Sequence, residues 1–172
     1  MEQAWLYFIG MVLIAASIGL AAWCFYLVNK GKQLIDTKQL NDKRIAPLQL
    51  QAYERLVLFL ERTDLNNLVL RLNQAGMNAQ LLHVELLKNI RKEYEHNLVQ
   101  QLYVSDAVWQ LITVAREKNI QTINMASDKV AKDAAGVMLA RQIISAIESP
   151  EKQPNKIALK ALKNEKRNRF GV

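Results

Sequence analysis

Two histidines, one cysteine and five serines are the side chains of this chain with most scope for metal or nucleophilic chemistry. His83 and His96 stand 13 positions apart, so they do not form an i, i+4 pair on neighbouring helical turns. Glu93-Tyr94-Glu95-His96 contains one Glu-x-x-His, the spacing by which di-iron bundles project two ligands into a core. Such a centre needs a second Glu-x-x-His and two further glutamates, and no second pair exists here. His96 therefore reads as a surface or capping residue, and His83 as a boundary residue beside an apolar face. The one thiol, Cys24, lies in an uncharged apolar run. Ser17, Ser105, Ser127, Ser145 and Ser149 lack the glycine elbow that exposes a nucleophilic serine. Six glycines form no phosphate-cradling loop. No catalytic residue, metal ligand or cofactor site is expected, and an enzyme acting on a lipid or membrane substrate is the weakest of three functional readings. A buried polar cavity with a converging carboxylate or histidine is the feature that would favour it.

The aromatic residues of the middle region, Tyr53, Phe59, Tyr94, Tyr103 and Trp109, all fall in apolar helical patterns and read as core. Binders of single-stranded nucleic acid interleave aromatic with basic side chains to stack bases. The basic C-terminal segment has only Phe170, which weighs against that mode.

The elements that position these residues begin with residues 4–28, which contain no charged side chain. The chain is 51% hydrophobic, at the high edge for a soluble protein, and this run accounts for the excess. About 20 apolar residues of helix cross a bilayer, so the run is long enough to do so with some tilt. A cleaved signal peptide opens with basic residues and ends in small ones. Here the start is Met1-Glu2-Gln3, and bulky Trp23 precedes Cys24 where a lipoprotein signal wants a small residue. Residues 1–28 are expected to be an uncleaved transmembrane anchor. Trp5 and Tyr7 at one end, with Trp23 and Tyr26 at the other, fit the aromatic belts of a span. Lys30, Lys32, Lys38, Lys43 and Arg44 follow the run, and basic residues near a span stay cytoplasmic. The N-terminus is expected outside and the remainder in the cytoplasm. Ala15 and Gly19 are four apart, as are Ser17 and Ala21, a spacing that lets membrane helices pack closely and that also arises by chance.

The net charge of +7 is unevenly distributed. Residues 48–149 carry 11 basic and 11 acidic side chains, residues 29–47 carry five and two, and residues 150–172 carry seven and two. The basicity belongs to a juxtamembrane connector and to a C-terminal tail with Lys156, Lys160, Lys163, Lys166, Arg167 and Arg169. Anionic lipid attracts such segments by about 1 kcal/mol per basic residue near the surface. A single cysteine excludes an intrachain disulfide and accords with a reducing compartment.

Periodicity predicts helices behind the connector. From Pro47, Leu50, Tyr53, Val57 and Leu60 mark one face as far as Arg62. Thr63-Asp64 reads as a stop and a new N-cap. Residues 65–72 are a two-turn helix or a buried extended piece, with helix preferred, and residues 74–78 with Gly76 are a turn. Ala79, Leu82, Leu86, Ile90, Tyr94, Leu98 and Leu102 predict a long amphipathic helix. Ser105-Asp106 caps the next, with Val108, Leu111, Ile112, Ala115 and Ile123 on its inner face. Val130, Ala134, Val137, Met138, Ile144 and Ile147 predict a last helix, in which Gly136 permits close helix contact or a local bend. Residues 154–167 can form a short helix with a thin stripe of Ile157, Ala158, Ala161 and Leu162, within a tail read chiefly as solvated and partly disordered.

The stretches Gln51-Ala52-Tyr53-Glu54-Arg55-Leu56-Val57-Leu58-Phe59-Leu60-Glu61-Arg62 and Glu93-Tyr94-Glu95-His96-Asn97-Leu98, the latter continuing to Tyr103-Val104-Ser105, resemble a family of uncharacterised single-pass proteins common in Bacteroidota. The likeness covers roughly residues 47–149 together with the N-terminal span as an arrangement. It implies a bacterial inner-membrane setting and brings no activity or catalytic residue.

The expected protein is all-α: an N-terminal transmembrane helix (1–28), a basic connector (29–47), a cytoplasmic four- to five-helix bundle (48–149) and a basic tail (150–172). Its expected partners are the lipid bilayer and a docked protein or a second copy of itself. The alternative is a nucleic-acid or anionic-lipid tether working through the tail, with nucleic acid the less favoured.

Overall fold

The computed structural model describes residues 2–147, 149 and 152–171, and within the first helix it leaves aside the side chains of residues 2–10, 12–15, 29 and 31–44. The regular elements among the described residues are all helical: α1 (Glu2–Arg62), α2 (Leu65–Leu72), α3 (Ala79–Asn97), a 3-10 segment (Leu98–Tyr103), α4 (Asp106–Ser127), α5 (Gly136–Ala146) and α6 (Pro154–Phe170). The chain divides into two units, Met1–Pro47 and Leu48–Val172.

The sequence reads residues 29–47 as a polar connector, leaves open that the span helix continues into it, and opens a new helix at Pro47. Instead α1 continues through Pro47. A mid-helix proline removes one N–H and crowds the carbonyl four residues back. The Lys-, Gln-, Leu- and Arg-rich flanks are good helix formers that carry the helix past it. In the first unit, Met11, Ile18, Leu20, Trp23, Phe25, Tyr26, Leu27 and Val28 are exposed. The Trp23 and Tyr26 rings lie 6.5 Å apart, and Lys30 Nζ sits 5.9 Å from the Tyr26 ring centre. Among the described residues no helix is long and apolar enough to cross a membrane.

The second unit has two cores. The first is aliphatic: Leu68 and Val69 of α2, Leu82, Leu86 and Ile90 of α3, Ile123 of α4, and Leu139 and Ile143 of α5. The second joins Tyr53, Leu56, Phe59 and Leu60 of α1 to Val108, Ile112 and Ala115 of α4 and Ala158, Leu159 and Leu162 of α6. Helix α4 serves both, its first half facing one core and its second half the other. Phe59, Tyr94 and Trp109 stack at the edge of the second core, with ring centres 6.1 and 5.6 Å apart, and the Arg116 guanidinium lies 4.3 Å from the Tyr94 ring centre. Arg116 Nε is the single buried side-chain polar atom without a hydrogen bond among the described residues.

Capping chemistry sets three of the helix starts. Asp64 accepts from the Asn66 N–H, Asn78 from Leu81 and Ser105 from Val108, each satisfying an otherwise orphaned first-turn donor. The region between α4 and α5 departs from expectation. Residues 128–135 are not helical; Lys132 and Ala134 carbonyls accept from the Gln80 and Ala79 N–H groups. Gly136 then opens α5, its N–H donating to the Met77 carbonyl at 2.7 Å. A Cβ at Gly136 would stand 2.9 Å from that carbonyl oxygen and 3.0 Å from Asn73 Oδ1, so the close approach is to the loop between α2 and α3 and not, as expected, to another helix. The register of α5 consequently buries Leu139, Ala140 and Ile143 and exposes Val137, Met138 and Ile144. Leu98 and Leu102 are also exposed, because α3 ends at Asn97 and the 3-10 turn rotates them off the core face.

The largest difference concerns the tail. Residues 154–170 form α6, whose Asn155, Ala158, Leu159 and Leu162 are buried against α1 and α4. A stripe of one Asn, one Ala and two Leu is thin, yet sufficient where the facing helices already present aromatic and aliphatic side chains.

Candidate functional site

Helix α1 ends in a buried position, where its last carbonyls need partners other than water. Thr63 and Asn155 supply them for Phe59 and Leu60, Asn67 and Arg71 for Glu61 and Arg62, and Asn119 takes the Thr63 carbonyl just beyond. Thr63 Oγ1 donates to the Phe59 carbonyl at 2.8 Å. Asn155 Nδ2, from the first turn of α6, donates to the Leu60 carbonyl at 2.7 Å and to Thr63 Oγ1 at 3.2 Å. Asn119 Nδ2, from the middle of α4, donates to the Thr63 carbonyl at 2.8 Å and to Asn155 Oδ1 at 2.9 Å. Thr63, Asn119 and Asn155 are all at least 95% buried. The cluster fastens α1, α4 and α6 together at the point where the two cores meet on α4.

A groove of about 290 Å³ opens beside this cluster. Leu65, Leu111, Val114, Ile147, Pro154 and Ile157 give it apolar walls, Asn119 and Asn155 its polar side, and Lys118 and Lys152 are cations on its lining. Among the described residues its one carboxylate, Asp64, is 6% exposed and committed to the α2 N-cap at 3.2 Å, and no histidine lines it. Among the described residues the arrangement therefore holds no acid–base pair. It offers shape, apolar contact and positive charge, at the small end of the volumes that take ligands.

A second polar cluster fastens the other end of α6. Glu165 accepts from the Tyr53 hydroxyl at 2.7 Å, from the Ser105 N–H at 3.1 Å and from the Ser105 hydroxyl. Burial pushes the Glu165 carboxyl up, but hydrogen bonds from Ser105 and Tyr53 outweigh it, and the group lies below the ordinary carboxylate value. Burial and the Glu165 contact push the Tyr53 hydroxyl up.

The sequence-expected sites are placed as follows. Lys30 is exposed, while the side chains of Lys32, Lys38, Lys43, Arg44 and Ala15 lie outside the described residues. Gly19 faces open space. Lys156, Lys160, Lys163 and Arg167 share one flank of α6, as the ~100° helical step requires. Lys156 pairs with Glu61 at 3.4 Å, whereas Lys160, Lys163 and Arg167 are exposed. Lys166 is half-buried and Arg169 reaches the Tyr103 carbonyl at 3.4 Å, so these two do not join that flank. His83 Nε2 lies 2.9 Å from Asn124 Oδ1, and His96 is exposed on α3. Among the described residues no group of three metal-ligating side chains occurs.

Sequence reasoning missed Thr63, Asn119, Asn155 and Glu165 as organising groups. A signal existed for one: Val108, Ile112, Ala115, Asn119 and Ile123 recur at helical spacing, and a polar residue inside an apolar face announces a buried partner.

No curated protein and no solved structure matches the chain. A family model described as a family of unknown function (DUF7935) matches residues 3–169. That match takes in nearly all of α1 and the whole of α2 through α5, with α6 to within one residue of its end, so the chain belongs to this family of unknown function.

Proposed function

We propose that the chain is a membrane-tethered docking module, with residues 4–28 held in a bilayer and the unit Leu48–Val172 presenting its α2/α4/α6 groove to a partner protein. The observation that carries this reading is the state of residues 16–28: a helix whose large apolar side chains, Ile18, Leu20, Trp23, Phe25 and Tyr26 among them, are all exposed. A helix apolar on every side requires lipid or other helices around it. The run extends uncharged back to Ala4 and meets a lysine at position 30. The apolar walls and the two cations of the groove support docking of a partner. In gently solubilised membranes, crosslinking through a photoreactive group at Val114 should capture one partner, and Val114→Asp should abolish the capture. Recovery of the bare chain across several detergents and crosslinkers would sink the proposal, as would release of the chain by alkaline carbonate.

One observation favours a second reading, contact with anionic lipid through α6. The only acidic residue of α6, Glu165, is spent on Tyr53 and Ser105, so the exposed flank of Lys160, Lys163 and Arg167 has no carboxylate of its own helix beside it. Phe170 packs edge-on against Tyr53 at 6.0 Å rather than standing free for base stacking, which favours lipid over nucleic acid. Lys160→Gln/Lys163→Gln/Arg167→Gln should lower binding of the detergent-solubilised full chain to anionic vesicles and leave partner capture unchanged. Equal vesicle binding by the triple variant would remove this reading.

A further inference from the structure

Residues 48–149 carry equal numbers of acidic and basic side chains, yet the fold places some of the cations together. A groove of about 360 Å³ between α1 and α3 is lined by Arg55 and Arg62 from α1 and by Lys92 and His96 from α3. Leu58, Phe59 and Asn97 complete its lining with one carboxylate, Glu93. That carboxylate is already engaged: it is 17% exposed and lies 3.4 Å from Arg62 Nε. Arg55 and Lys92 are exposed, and neither has an ion-pair partner among the described residues. Two helices thus hold an arginine and a lysine toward a common concavity whose only acid is neutralised from within.

A cleft lined by one sign of charge concentrates field and draws counter-ions. Arginine presents a planar fork matched to phosphate oxygens, and lysine adds a compact point charge. A single carboxylate would answer one of these cations, whereas a doubly charged tetrahedral anion answers both.

We propose that the α1/α3 groove binds a phosphate-type dianion, with Arg55 and Lys92 as its principal contacts and Arg62 and His96 at its margin. The phosphate is either free or carried by a lipid headgroup, since the same cations serve both. This site is separate from the α2/α4/α6 groove and does not depend on what that groove docks or on the N-terminal anchor.

The test titrates the full chain in neutral detergent, by calorimetry, with inorganic phosphate and separately with short-chain phosphatidic acid, using short-chain phosphatidylcholine, whose headgroup is a net-neutral zwitterion, as the reference. Saturable millimolar or tighter binding of either anion is expected. Arg55→Gln/Lys92→Gln should weaken it about tenfold or more, and Lys92→Gln alone should give a smaller loss. Lys129→Gln/Arg141→Gln, which removes two exposed cations outside both this groove and the α6 flank, should leave it unchanged. Tighter binding of inorganic phosphate assigns the free form, and tighter binding of phosphatidic acid assigns the headgroup. Equal weakening by the Lys129/Arg141 variant would mean general attraction to a basic chain and would overturn the site. So would the absence of saturable binding by the unmodified chain while circular dichroism shows it helical, or full binding by the Arg55/Lys92 variant.

Discussion

The two cores of the second unit differ in how they are closed. The first is built from α2, α3, α5 and the end of α4, all between residues 65 and 147, and its interior is aliphatic. Its distinctive fastening is backbone to backbone, where residues 132–136 lie against residues 77–80. The second draws on residues far apart in the chain and is tied by side-chain polar groups: Tyr53 to Glu165 across 112 positions, Asn155 to Leu60 across 95, and Asn119 to Thr63 across 56. A core assembled from neighbouring segments can rely on packing and loop geometry. One assembled from distant segments has few local constraints on register, and buried polar pairs whose loss leaves orphans can supply that register.

The largest expected effect separates the two directly. Ending the chain after Ser149 removes α6 and uncovers Leu56, Leu60 and Ala115. Hydrogen exchange should then show loss of protection over residues 52–62, with protection kept over 82–90 and 139–143. Uniform loss across both cores would show that they form one cooperative unit and would erase the distinction. Next in size, Asn155→Ala strips partners from the Leu60 carbonyl, Thr63 and Asn119. It should cost about 3 kcal/mol in denaturant melts, given about 1–3 kcal/mol for an orphaned buried polar group. Gly136→Ala strikes the first core's clasp. Overpacking against the Met77 carbonyl and Asn73 should cost about 2 kcal/mol, and a neutral result would mean that the loop shifts freely. The smallest effect is electrostatic. The Glu165 carboxyl lies below its ordinary value, so its stabilisation is complete above the unfolded-state pKa and is lost as pH falls from 4.5 downward through the folded value. Glu165→Gln should be less stable than the parent at neutral pH and show a flatter acid limb. An unchanged limb would assign acid sensitivity elsewhere.

Much of this fold was legible where physics is local. Asp64 and Ser105 announced their helices because a capping oxygen needs only the next few N–H groups. The faces of α1 near Tyr53 and of α3 up to Ile90 followed from periodicity. Legibility failed where the partner is distant. Asn155, Ala158 and Leu162 look like parts of a soluble tail until α1 and α4 stand opposite them. The α5 register slipped because Lys132 and Ala134 spend their carbonyls on α3, which no periodic pattern encodes. The grooves were illegible for a related reason: composition reports a charge-balanced middle region, and only tertiary contact sets Arg55 of α1 near Lys92 of α3.

The Asn155–Leu60 bond also sets a clock. Translation proceeds at roughly 5–20 residues per second, so the 95 positions between these partners take about 5–20 s to make. Throughout that interval Leu56, Phe59 and Leu60 have emerged without their lid, long after the hydrogen bonds within their own helix can form. A nascent chain of this protein must be shielded, or already held at its destination, while it waits for its own closing segment.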